Sequence, residues 1–283
     1  MRSLIVTGDD FGLAVPVNEA IQVAHQQGIL NTASLMVGAP AAKDAVERAM
    51  RLPTLRVGLH LVLVEGGSTL PPERIPDLVS RQGEFSSRLI LTGLKYFFLP
   101  GVRRQLEDEI RAQLDQYCLT GLPLDHINAH NHFQLHPTVL EIILRVGKEY
   151  GLRAMRVPYE PFWQSWRMGR QHGFFRFLSW LMLAPWMGLL RLKLRRAGIH
   201  SNDFAFGLYD SGHMTQQRVM NLLSYLPHGV TEVYFHPATQ SCPELERTMA
   251  DYEHEREFET LICPDIKRMI ASMGIHPWTF SEL

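Results

Sequence analysis

Cysteine is scarce in this chain: Cys118, Cys242 and Cys263 are the only three in 283 residues, and no CxxC pair occurs. An odd, scattered set excludes a disulfide framework and a cysteine-rich zinc site, and it suits a reducing compartment. Charge of one sign is lacking too. The formal net charge is −1, so nothing in the balance draws the chain toward nucleic acid, which is not expected as a partner. No uninterrupted run reaches the roughly 18 apolar residues of a membrane span. The opening MRSLIVTGDDFG has neither the apolar region nor the cleavage site of a secretory signal, so a cytoplasmic location is expected.

Familiar catalytic signatures are missing as well. There is no HExxH, no GxxxxGK[ST], no GxSxG and no GxGxxG. Asp10-Phe11-Gly12 matches a kinase fragment, but no glycine-rich loop, HRD segment or strand lysine accompanies it, and the kinase reading falls.

What is present is an ordinary globular composition, 46% hydrophobic and 20% charged. The length suffices for a barrel of eight strand–helix units, which takes about 250 residues. Short apolar runs at Leu4–Thr7, Ala33–Val37, Val57–Val62, Leu124–Asn128, Arg153–Val157, Asp203–Phe206 and Glu232–Phe235 read as strands. Helical periodicity lies between them, around Pro16–Gln27, Ala41–Arg51, Val102–Cys118, Pro137–Tyr150, Thr215–Leu226 and Leu245–Ile270, the last broken at Pro264. Such alternation implies parallel strands with crossover helices, in a barrel or a doubly wound sheet. Seven strands at this spacing favour an α/β fold of one domain over residues 1–283, a distorted or incomplete (β/α) barrel.

One stretch breaks the pattern. From Phe174 to Arg196 the chain is apolar almost all round, with Arg167, Arg170 and Arg176 toward its start and Arg191, Lys193, Arg195 and Arg196 toward its end. It reads as an apolar, basic insertion at about 167–196. Its uncharged core, Phe177–Leu190, is too short to span a bilayer and contains Pro185. The plain expectation is a buried helix or a homodimer interface. The sharper one is peripheral contact with a membrane through Phe174, Trp180, Trp186 and Arg195, since aromatic rings and flanking cations suit a headgroup boundary.

The residues that can carry chemistry sit where strands end. Asp9 and Asp10 follow the opening strand, a place where parallel βα folds gather functional groups. A single Asp there would be read as a helix cap; two in tandem are less easily explained so. His60 closes Val57-Gly58-Leu59-His60-Leu61, and His236 closes the run before Pro237. Alone, each is weak. The weight comes from His126, His130, His132 and His136, four histidines in eleven residues after one strand. Neutral imidazole is the commonest metal ligand, although a site that keeps an open position seldom takes more than three protein ligands. Carboxylates with histidines on several strand ends outline a metal-assisted hydrolase.

The segment Val6-Thr7-Gly8-Asp9-Asp10-Phe11-Gly12-Leu13 resembles the N-terminal signature of YdjC-like carbohydrate deacetylases. The GLH block at Gly58–His60, the block His126–His132 and Phe235-His236-Pro237-Ala238 are similar to further blocks of that family, in the same order. Leu35–Ala42, Leu70–Arg74 and Leu122–His126 look like its hopanoid biosynthesis associated branch. The resemblance implies Asp10, His60 and His130 as ligands of one divalent metal, be it Zn, Mg, Mn or Fe. It implies Asp9 as general base and His236 as general acid or its partner. His126, His132 and Arg156 are expected to bind substrate or support the ligands. The implied reaction is hydrolysis of the N-acetyl group of an acetamido sugar, an N-acetylglucosaminyl hopanoid lipid in that branch, at the cytoplasmic face of the inner membrane. Gly8, Asn128 and Gln134 depart from the usual residues. Alternatives are a soluble chitooligosaccharide deacetylase, a catalytically silent membrane-surface binding protein, or a non-haem iron oxygenase, which shares the ligand set but would leave Asp9 idle.

Overall fold

A computed structural model describes residues 1–169 and 172–283; Arg170 of the basic flank lies outside the described residues. Strand β1 (Arg2–Phe11) is the centre of the sheet and is buried along nearly its whole length. It pairs in parallel with β2 (Thr32–Leu35) on one side and with β6 (Gly229–Phe235) on the other. Next to β2 come β3 (Arg56–Leu61) and β4 (Ile127–Ala129), and β5 (Phe204–Phe206) lies outside β6. Burial on both faces is what a parallel strand needs when helices cover one side and a barrel interior the other.

The two edges are joined through the stretch expected as a strand at Arg153–Val157. Ile127 pairs with Met155, and Ala154 with His200, as single parallel bridges. The ladder stops there because Asn202 takes over the backbone of Val157, accepting from its N–H and donating to its C=O, and Pro158 has no N–H to offer. The result, among the described residues, is a curled, incomplete α/β barrel whose β4–β5 side is bridged only by these isolated pairs.

Outside the barrel run α1 (Val15–Gln27), α2 (Ala42–Met50), α3 (Leu89–Phe98), α4 (Pro100–Leu119), α5 (Pro137–Val146), α6 (Phe162–Gly169), α7 (Gly173–Ala197) and α8 (Gln216–Ser224). The long helix expected over Leu245–Ile270 is three: α9 (Pro243–Met249), α10 (His254–Leu261) and α11 (Pro264–Ser272). Pro264 starts α11 in its first turn, where the missing N–H costs nothing. A short strand β7 (His276–Pro277), not foreseen, pairs with Ser3 and Leu4 of β1. Helices α3 and α6 were not foreseen either.

Helix α7 continues through Pro185 and is longer than its uncharged core, 25 residues, which makes it long and apolar enough to cross a membrane by length and composition. Its buried residues are Arg176, Met187, Leu190 and Leu194. Attachment near both ends lays it along the barrel. Most of its remaining apolar surface is exposed, so it is not the fully buried helix that an all-round apolar pattern suggests.

Candidate metal and catalytic site

At the end of β1 the register against β2 slips between Gly8 and Phe11, and Asp10 adopts φ 60°. A left-handed, non-glycine residue in a bulge is strained, and bulges re-aim side chains next to functional sites. The Asp10 carboxylate is 1% exposed, and its Oδ1 lies 3.3 Å from His60 Nε2 and 3.3 Å from His130 Nδ1. His60 comes from β3, and His130 follows β4 directly. Gly58 precedes His60 because a side chain there would strike His126: a Cβ would sit 2.4 Å from its ring.

The hydrogen bonds decide how His60 faces Asp10. Asn128 donates through its amide nitrogen to Asp9 Oδ1 at 3.1 Å. A carboxylate can only accept, so the Asn128 oxygen is the atom 2.8 Å from His60 Nδ1, and that nitrogen carries the proton. His60 Nε2 therefore turns a lone pair toward a carboxylate oxygen, and neither it nor either Asp10 oxygen has a hydrogen-bond partner among the described residues. Two acceptors held face to face in a buried place fit a cation between them. The donor atoms of Asp10, His60 and His130 lie within 4.8 Å of one another, and two imidazoles with one carboxylate leave coordination positions open.

Asp9 stands beside this cluster, lining the same cavity as His60 and His130, but is not one of its three donors. Arg156 forks onto both its oxygens, at 2.6 and 2.9 Å, and reaches Glu232 with its remaining donors. Burial alone would raise the Asp9 carboxyl, but Arg156 and the nearby His60 overcome that and hold it well below the usual range. His236, just after β6, donates its backbone N–H to Glu257, and its ring packs edge-on to Tyr252. Burial pushes its pKa down to about 4, against the pull of Asp10 and Asp9, and its Nδ1 has no partner among the described residues. His236 is thus neutral at neutral pH.

The other histidines have separate places. His126 is fully buried between Asp125 and Ser34, at 3.0 and 3.1 Å, and stacks on Phe280. It reaches the site only through Ser34, which accepts from Asn128. His132 bonds the Tyr234 hydroxyl at 2.9 Å, and burial lowers its pKa to about 3. His136 bonds Gly93 of α3, away from the ligand cluster. Asp9, His60, His130, His132, Tyr234, His236 and Tyr252 line a cavity of about 230 Å³. A second cavity, about 420 Å³, shares His130 and Glu65 with it.

Of the α7 residues, Phe174 and Arg195 are exposed, whereas Trp180 and Trp186 are half-buried. Each indole N–H is engaged, Trp180 with the Tyr159 hydroxyl and Trp186 with the Leu135 carbonyl.

Sequence reasoning missed Glu232, Ser34, Tyr234 and Glu257. Glu232 offered a signal, an acid inside an apolar strand, and it is fully buried. Ser34 offered none.

A family profile described as YdjC-like protein matches residues 3–272. A protein named carbohydrate deacetylase from Brevibacillus brevis is 30% identical, with 99% of this chain and 99% of that protein covered. A carbohydrate deacetylase from Vibrio parahaemolyticus is 28% identical over 99% of this chain and 96% of its own length. Among solved structures, an Enterococcus faecalis protein named for cellobiose-phosphate cleavage superposes with a TM-score of 0.75 at 22% identity, covering 99% of this chain and 97% of that one. That likeness speaks for the fold.

Proposed function

The chain belongs to the YdjC-like protein family, and from that premise we propose that it is a metal-dependent hydrolase removing the N-acetyl group of an acetamido sugar. The observation that carries the reading is the lone-pair face of His60 set against the buried Asp10 carboxylate beside His130, with a second carboxylate, Asp9, clamped next to it. Relatives named carbohydrate deacetylase along the full length support the substrate class.

Asp10, His60 and His130 would hold one divalent ion. When bound, such an ion supplies Lewis-acid polarisation of the amide carbonyl and lowers the pKa of water toward about 7. Arg156 fixes the Asp9 carboxylate in its ionised form and in one orientation, so Asp9 can accept a proton from the attacking water. An acid must then protonate the departing amine. The proton that Asp9 takes from the water must reach the amine nitrogen, and His236, which lines the same cavity and whose Nδ1 has no partner among the described residues, is the group placed to relay it. Tyr234, His132 and Tyr252 wall the cavity and limit water. Each proton-transfer group is typically worth about 10²–10⁴ in rate.

The finer substrate is an N-acetylglucosaminyl lipid, a hopanoid, with α7 in peripheral contact with the cytoplasmic face of the membrane. The exposed Phe174 and Arg195 make that contact, while Trp180 and Trp186 tie α7 to the barrel. The test is acetate release from purified protein given either N-acetylglucosaminyl lipid or diacetylchitobiose, with metal content measured alongside. Release from neither substrate by metal-loaded protein would overturn the deacetylase reading. Release from chitobiose alone would make the enzyme a soluble chitooligosaccharide deacetylase.

A further inference from the structure

Two segments of the chain contain no acidic residue, 85–106 and 161–202. Both are basic in a chain whose net charge is −1. The first holds α3 and the second holds α6 and α7. Helix α3 buries Thr92 and Tyr96 and turns Ile90, Leu91, Leu94 and Phe98 outward; Ile90 is 82% exposed and Phe98 66%. Helix α7 does likewise with Phe174, 82% exposed, and Met182, 72%. Contiguous apolar surface of this kind marks an interface or a membrane-facing site.

The two helices share one rim. Consecutive residues after β4 take one helix each: the Leu135 carbonyl accepts from Trp186 of α7 at 2.9 Å, and His136 bonds the Gly93 carbonyl of α3 at 3.0 Å. Leu89, the first residue of α3, lines the same cavity as Asp9 and His130. At the far side α7 is pinned by Arg176, which forks onto Asp210 after β5. Exposed cations edge both arms, Arg88, Lys95 and Arg104 at α3, Arg195 and Arg196 at α7.

We propose that α3 and α7 form one two-armed docking surface for an anionic lipid bilayer, which seats the mouth of the catalytic cavity against the membrane. The inference rests on the α7 contact proposed above and adds α3 as an equal partner. Apolar side chains enter the headgroup boundary while long cations snorkel to anionic lipid. A second copy of the chain fits less well, because a two-fold interface sets each patch against itself and would face basic arms with basic arms.

Flotation with vesicles of phosphatidylcholine alone or with phosphatidylglycerol tests it. The wild type is expected to float with the anionic vesicles and to be released by salt. Ile90→Ser with Phe98→Ser, and separately Phe174→Ser with Met182→Ser, should each weaken partition by about tenfold or more. If the α3 pair does not fold by circular dichroism, Lys95→Glu with Arg104→Glu replaces it and should also weaken binding. Deacetylation of soluble diacetylchitobiose should stay unchanged in every folded variant, which separates docking from catalysis. An α3 variant that floats like the wild type while the α7 variant does not would end the two-armed proposal and leave α7 alone. A wild type that stays down with anionic vesicles would end both. A mass that halves in the α3 variant, with flotation unchanged, would identify a dimer interface instead.

Discussion

Arg156 holds Asp9 by both carboxylate oxygens, at 2.6 and 2.9 Å, and is itself fully buried against Glu232. One guanidinium thus serves two buried carboxylates, and its planar fork sets the Asp9 orientation as well as its charge. Truncation to alanine would strand both acids, and removing one partner from a buried pair costs roughly 3–5 kcal/mol. The cleaner variant is Arg156→Lys, which keeps the charge and loses the fork. It is expected to fold, to keep its metal, and to lose about tenfold or more in kcat. Wild-type kcat in that variant would mean that the fork does not position Asp9.

The tandem aspartates should separate under mutation. Asp9→Asn is expected to retain metal and to lose on the order of 10²-fold or more in kcat. Asp10→Ala, His60→Ala and His130→Ala are expected to lose metal and activity together. Metal analysis beside steady-state kinetics reads both quantities. Loss of metal in Asp9→Asn would reverse the roles assigned to the pair.

Asn128 offers its oxygen to His60 and its nitrogen to Asp9. Asn128→Leu removes both bonds, and loss of a group that orients a metal-ligating histidine typically costs about 10–100-fold in affinity. Calorimetric titration with zinc should show that drop. Asn128→Asp keeps an acceptor for His60 but sets a carboxylate beside Asp9, so metal binding should survive better than turnover. Equal damage in both variants would count against this division of labour.

Two glutamates outside the ligand cluster give a stability prediction. Burial raises both Glu160 and Glu257 from 4.5 to about 7. In each case the folded state keeps its proton after the unfolded chain has lost it. Their stabilisation is therefore complete below about 4.5 and is lost as pH rises through about 7, at up to about 1.4 kcal/mol per pH unit per group. Denaturant unfolding from pH 5 to 7 should show the decline, and Glu160→Gln should flatten it. An unchanged slope in that variant would remove Glu160 from the account.

The strand–helix alternation, the acidic pair after β1 and the histidine block after β4 were legible in the chain itself, because period and local composition are properties of neighbouring residues. Asp10 and His60 stood out as candidates for the same reason, since each closes an apolar strand and parallel strands deliver their ends to one rim; the choice of His130 among four neighbouring histidines came from the resemblance to the YdjC-like family, not from the local pattern. Sequence could not say that Asp10 is turned inward by a bulge, or that Asn128 is the residue whose two amide atoms settle the His60 tautomer. Nor could it show Arg156 spanning Asp9 and Glu232, 147 and 76 positions away. Those are relations across a curled sheet, and no window along the chain contains them. The same holds for α3 and α7. Each apolar run has a local composition that suits burial, membrane contact or a partner equally. Only the packing of Thr92, Tyr96, Arg176 and Leu194 decides which face each helix leaves exposed, and only the adjacency of Leu135 and His136 ties both helices to one stretch of chain.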